Sequence, residues 1–176
     1  MKATGIVRRI DDLGRVVIPK EIRRTMRIRE GDPLEIFTGA GEVVFKKYSP
    51  VGELSGLAGQ YAEALATEIS LPVIICDRDH CVAAAGISKK LVLEKRVTPT
   101  LEDIMEERRK VVVANGGLQQ ALEGVENAIC VGVPIISSGD VSGAIVLLNS
   151  AENSTPTESD IKLTCVAASF LGKQME

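Results

Sequence analysis

The chain has 176 residues, 45% hydrophobic, 26% charged and 3% aromatic, with a formal net charge of −3. That apolar share excludes a disordered chain, and no apolar run approaches the roughly 18 residues that span a bilayer. Charge is uneven, with 11 Lys and Arg against 7 Asp and Glu in residues 1–50 and 10 against 17 in residues 51–176, so a basic head for a polyanionic partner precedes an acidic, soluble body.

Thr4 to Ile10 and Arg15 to Ile18 are rich in β-branched residues, and Asp11-Asp12-Leu13-Gly14 between them supplies turn formers, so a tight β-hairpin is expected. In a regular strand Arg8 would share a face with Ile6 and Ile10, so the strand either ends near Arg8 or twists that side chain to a rim. Pro19 fits the first turn of a helix, predicted from Pro19 to about Met26. On it Lys20, Arg23, Arg24 and Arg27 fall at i, i+3, i+4 and i+7 as one cationic stripe, with Ile22 and Met26 on an apolar face. That spacing costs about 0.2–0.5 kcal/mol per pair of like charges unless an anion, or a carboxylate such as Glu21 or Glu30, offsets it.

Fixed guanidinium groups on short rigid elements are suited to gripping a phosphate backbone. Arg8, Arg15, Arg23 and Arg24 are therefore the leading candidates for contact with double-stranded DNA, and a solvated basic face is the plain alternative. Lys2, Arg9, Lys20 and Arg27 are weaker candidates from charge alone. After the helix, Gly31-Asp32-Pro33 marks a turn, Leu34 to Thr38 a strand, Gly39-Ala40-Gly41 a turn and Glu42 to Tyr48 a second strand. This ββαββ head of about 50 residues would bury only about 60% of its unfolded surface. It contains neither cysteine nor histidine, which leaves dimerisation as the route to stability. A two-fold dimer would present the four leading arginines of each chain on one side.

The segment TGIVRRIDDLGRVVIPKEIRRTMRIREGDPLEIF, followed by GEVVFKKYSP, resembles the swapped-hairpin DNA-binding domain of the AbrB transition-state regulators. The resemblance implies that two chains interleave their hairpins into one small β-barrel. It also implies that the positions matching Arg8, Arg15, Arg23 and Arg24 contact DNA with limited base specificity.

Ser49-Pro50-Val51-Gly52 reads as a short linker between a head of residues 1–50 and a body of residues 53–176. Glu53 to about Ile69 places Leu54, Leu57, Ala58, Tyr61 and Leu65 on one face of an amphipathic helix. Leu71 to Asp77 and Cys81 to Ala85 read as paired strands around an Arg78-Asp79-His80 turn. Ser88 to Arg109 reads as mainly helical with Thr98 or Thr100 as a cap, Lys110 to Ala114 as a strand, and Asn115-Gly116-Gly117 as the start of a loop. Ala128 to Ile136 and Val141 to Leu148 flank a Ser137-Ser138-Gly139-Asp140 turn as an antiparallel pair. A final helix is predicted to start at a capping box of Thr155 and Glu158, with Pro156 at its first position, and to run nearly to Glu176. In it Ala167, Ala168, Ser169 and Gly172 are small, and Ile161, Cys165 and Ala168 form an apolar stripe. Packing between subunits and packing within one subunit explain that pattern equally.

Residues 53–176 are similar in element order to a small GAF domain, so the fold class is α+β: an AbrB-like head followed by a GAF-like domain. The combination resembles sporulation regulators of forespore transcription, and implies a cytoplasmic, DNA-associated homotetramer built as a dimer of dimers. It also implies a small-molecule ligand of unknown identity held in the region from Gly86 to Ala128. The Asn-Lys-Phe-Asp-Glu signature of cyclic-nucleotide-binding relatives is absent, and Tyr61 and Phe170 are the body's two aromatic residues, few for base stacking or haem packing.

No catalytic residue, metal site or cofactor is expected. His80 sits in a polar turn without a nucleophile group around it, and Cys76, Cys81, Cys130 and Cys165 contain no CxxC pair. No secretory signal or membrane segment is expected, and unpaired cysteines fit a reducing compartment. Three other functions fit the sequence less well. An antitoxin would carry a polar wrapping tail, which the apolar body does not resemble. An architectural DNA binder would have no ligand, and a GAF-fold methionine sulfoxide reductase would need exposed cysteines.

Overall fold

The computed structural model describes residues 4–113, 119–150 and 155–176. Lys2 and the Asn115-Gly116-Gly117 loop lie outside the described residues. The chain divides into two compact units, residues 1–48 and 49–176.

In the first unit the expected turn forms but the flanking strands do not pair within the chain. Residues 4–10 and 15–19 carry no ladder, although Gly14 takes φ +76° and its N–H donates to Asp11 O at 3.0 Å. Both flanks of the turn are left with exposed, unladdered backbone. Helix α1 spans Lys20–Thr25, with Pro19 at its N-cap and Met26 at its C-cap. Strands β1 (Leu34–Gly39) and β2 (Glu42–Lys47) form an antiparallel hairpin over Ala40-Gly41, in the register Leu34↔Lys47 to Gly39↔Glu42. Lys47 Nζ donates to Arg27 O at 2.9 Å and lies 3.5 Å from Asp32 Oδ2, so β2 ties down the connector after α1.

Among described residues 4–48, Pro19 alone is buried. Val7 is 85% exposed, Ile10 and Val17 71% each, Ile36 and Val43 60% each. Apolar exposure on this scale marks an interaction surface rather than a finished core.

The second unit is a three-layer α+β domain around one sheet. Helix α2 (Pro50–Glu53) precedes α3 (Ser55–Ile69), then β3 (Val73–Asp77), β4 (Cys81–Ala85), α4 (Lys89–Val92), α5 (Pro99–Glu106), β5 (Val111–Val112), β6 (Ile129–Ser137), β7 (Asp140–Leu148) and α6 (Glu158–Gln174). The sheet is antiparallel throughout, in the order β4-β3-β7-β6-β5. Ser138 and Gly139 take φ +49° and +86° at the β6–β7 turn.

Alternation along the strands feeds two cores. Val73, Ile75, Val131, Val133, Ile135, Ile145 and Leu147 face α2, α3 and α6, while Ile74, Cys76, Ala144, Val146 and Leu148 face α5 and the segment of Ala121, Leu122 and Val125. With both faces covered, these strands read in sequence as unbroken apolar runs rather than as alternating ones.

Four expectations change. Ser49–Gly52 is part of the body, because Ser49 Oγ caps α2 by accepting from Gly52 N at 2.9 Å and Val51 is 1% exposed. The buried face of α3 is Ala58, Ala62, Leu65 and Ile69, with Leu57 and Tyr61 at its margin and Leu54 before its start. Ser88 to Arg109 breaks into α4 and α5, because Glu94 turns the chain with φ +60° and residues 95–97 run beside residues 79–81, with Cys81 N–H donating to Lys95 O at 2.9 Å. Thr98 caps α5, accepting from Leu101 N at 3.4 Å. The cap of α6 is Thr157 rather than Thr155. Thr157 Oγ1 accepts from Asp160 N at 3.2 Å and Asp160 Oδ2 from Thr157 N at 2.7 Å, so the overlapping T-x-x-D outcompetes T-x-x-E and Pro156 precedes the cap.

Candidate nucleic-acid interface

The basic residues of the head sit on three kinds of backbone. Arg8 and Arg9 lie on the exposed extended segment before the turn, Arg15 lies just after it, and Lys20, Arg23 and Arg24 are exposed on α1. Arg23 and Arg24 lie in the last turn of α1, where the negative end of the helix dipole favours cations and lessens the cost of setting like charges together. Arg15 is paired with the Asp11 carboxylate, and Arg8 Nη1 reaches the neighbouring Val7 carbonyl at 3.4 Å. Arg27 leaves the stripe: it follows the C-cap with φ +50°. A left-handed residue there turns the chain off the helix, so the i+7 spacing loses its meaning.

Asp11, which charge counting in the sequence passed over, organises the turn. Its Oδ1 accepts from Leu13 N at 3.1 Å and Arg15 N at 2.8 Å, and its Oδ2 accepts from Arg15 Nε at 2.8 Å. The Arg15 backbone N–H first, then its guanidinium, hold the Asp11 carboxyl below the usual carboxylate range. The recoverable signal was the Asp at one end of the four-residue turn and the Arg directly after it, the spacing of an Asx turn with a charged partner.

The body presents different chemistry. Cys76 pairs with Cys81 across β3 and β4, and both are fully buried. Contact with the Cys81 thiol, then burial, pushes the Cys76 thiol well up, and burial also raises Cys130. These are protonated core groups, opposite to the exposed electropositive setting of a redox thiol. Among the described residues no three His, Cys, Asp or Glu side chains gather as a metal site would require, and no helix is long and apolar enough to cross a membrane. In the expected ligand region, Val92, Val97, Leu101, Ile104, Met105, Ala121, Leu122 and Val125 close over the sheet as an aliphatic core.

On α6 Ala167, Ala168 and Gly172 serve the subunit's own sheet, while Ser169 is exposed. Ala167, Ala168 and Leu171 are buried, and Gly172 lies against the Ile136 backbone. The opposite side leaves Leu163 42%, Val166 61% and Phe170 38% exposed, with the Phe170 ring stacked on Tyr61 of α3 at 5.2 Å.

A basic head with a β-hairpin and a short helix, followed by a five-stranded sheet covered by helices, defines the class of two-domain regulators with an AbrB-type head and a GAF-fold body. Residues 53–176 match the family model described as stage V sporulation protein T C-terminal, transcription factor, and residues 7–52 match one described as antidote-toxin recognition MazE, bacterial antitoxin. Stage V sporulation protein T of Bacillus subtilis is 51% identical over 180 aligned residues, covering 100% of this chain and 99% of that protein. The chain belongs to the stage V sporulation protein T family. Transition state regulatory protein AbrB of the same organism is 58% identical over 50 residues, 28% of this chain and 52% of that one. The GAF domain of a phosphoenolpyruvate-protein phosphotransferase from Coxiella burnetii shares the fold at 18% identity and a TM-score of 0.55, over 69% of this chain and 82% of that one.

Proposed function

We propose that this protein is a sequence-tolerant DNA-binding regulator of forespore transcription that works as a dimer of dimers. In this reading residues 1–50 dimerise and bind duplex DNA through Arg8, Arg15, Arg23 and Arg24. Arg9, Lys20, Arg27 and Lys2 give secondary phosphate contacts, and residues 53–176 assemble and sense. The observation that carries it is a head with exposed guanidinium groups and almost no core of its own, which fits interleaved chains presenting a doubled basic surface. The MazE-type match of the head is compatible with toxin binding, but a body with two packed aliphatic cores is unlike a wrapping tail. The test is retention of duplex DNA by the full chain across a salt series. If eight arginines per dimer each neutralise a phosphate, log K falls against log salt with a slope near −7, from about −0.9 per contact. A slope near zero rejects the reading.

Assembly of the bodies follows from α6. Leu163, Val166 and Phe170, continued by Tyr61, form an apolar strip that we assign to a second body in a tetramer. Removing α6 would also take Ala167, Ala168 and Leu171 from the core, so a point change is the cleaner test. Val166→Asp should convert tetramers to DNA-binding dimers by light scattering while far-UV circular dichroism is unchanged. Tetramers that persist in this variant argue against the strip. A ligand of the body, if it has one, is a small aliphatic or amino-acid-like molecule, since the aliphatic side chains of residues 86–128 offer little to an aromatic one.

A further inference from the structure

Asp11 is a carboxylate set among Arg8, Arg9 and Arg15, on a surface whose other features favour anions. By charge alone it weakens every phosphate contact nearby, so any gain it brings must lie in orientation. Its geometry supplies one. The side chain of Arg15 is 69% exposed, yet its Nε is held by Asp11 Oδ2 at 2.8 Å, and no other hydrogen bond to that guanidinium occurs among the described residues. A guanidinium can offer a side-on fork, from Nε and one Nη, or an end-on fork from Nη1 and Nη2. With Nε occupied, only the end-on fork faces outward.

We infer that Asp11 is a positioning and specificity-determining residue, which pins Nε of Arg15 so that its terminal N–H pair meets a base edge in one orientation. The inference rests on the reading of Arg15 as a DNA contact. The end-on fork matches the paired acceptors O6 and N7 of guanine in the major groove, whereas a phosphate accepts either fork equally well. Asp11 thus trades non-specific attraction for discrimination between bases. Because the same carboxylate binds the backbone N–H groups of Leu13 and Arg15, turn and guanidinium move as one rigid piece.

The two functions of the carboxylate separate in Asp11→Asn. An amide oxygen still accepts from the backbone N–H groups and keeps the turn, but cannot also offer a second acceptor to Nε. Duplexes would be selected from a randomised library with the full-length wild-type protein. Dissociation constants would then be measured for a selected duplex and for a scrambled duplex of equal composition. In Asp11→Asn the ratio of the two constants should fall by about tenfold, the scale of one bidentate base contact, with scrambled-duplex binding unchanged or tighter. A ratio within about twofold of wild type overturns the inference, as does an equal fall when Asp11→Asn is made in an Arg15→Ala background. If Arg15→Ala alone binds both duplexes as wild type does, the fault lies in assigning Arg15 to DNA. Should the Asn variant misfold, the wild-type protein decides: its Arg15 Nε–H should exchange slowly in the DNA complex by nitrogen-15 NMR, and rapid exchange overturns the inference.

Discussion

The double substitution Arg23→Ala, Arg24→Ala should weaken DNA binding by about three orders of magnitude near 0.1 M salt and lower the salt slope from about −7 to about −3.6. The reasoning counts phosphates. Two arginines per chain remove four contacts from a dimer, each contact carries about −0.9 of slope, and that release of counterions is the main source of sequence-tolerant affinity. Both side chains are exposed on the last turn of α1, so the fold should survive the change. Loss should be uniform across unrelated duplexes, in contrast to the discrimination expected to fail in Asp11→Asn. Fluorescence anisotropy over a salt series measures both quantities. An unchanged slope with unchanged affinity would remove α1 from the interface.

Local chemistry made most of the architecture readable in the sequence. The β6–β7 hairpin, the β3–β4 pair and α1 appear where β-branched runs, Gly139 and Pro19 place them. What failed depends on partners that sequence spacing does not specify. Periodicity put Leu54 on the buried face of α3, but the sheet lies under Ala58, Ala62, Leu65 and Ile69, which sets the true stripe. Val51 looked like linker because the four residues Ser49–Gly52 include a Pro and a Gly and carry no period, yet its side chain enters the body core. The first hairpin is legible as a turn, which Asp11 and Gly14 specify locally, but its β-branched flanks carry no ladder within the chain, because strand propensity does not supply a pairing partner. The four leading arginines stand out in the sequence by charge and residue type, and what the structure adds is that all four are exposed. Asp11 was not, because its effect lies in a hydrogen-bond direction rather than in its charge.

The small residues of α6 lead to the other large effect, since the sequence left open whether they pack within or between subunits. Gly172→Ala should destabilise the body by about 2 kcal/mol. A Cβ at Gly172 would run into the Ile136 carbonyl and lie 3.1 Å from its carbon, and both are backbone atoms of β6 that cannot swing aside. Overpacking of this kind costs about 1–3 kcal/mol, while alanine in place of glycine in a helix returns up to about 1 kcal/mol. The clash outweighs the propensity because α6 must lift from β6 and uncover Ala167, Ala168 and Leu171 together. Gly59→Ala on α3 isolates the smaller term: nothing lies within 4 Å of its added Cβ, so that variant should gain up to about 1 kcal/mol. Thermal unfolding separates them, at roughly 4 °C per kcal/mol for a domain of this size. A Gly172→Ala protein as stable as Gly59→Ala would mean that α6 does not rest on its own sheet. Its small face would then be free to meet a neighbouring subunit.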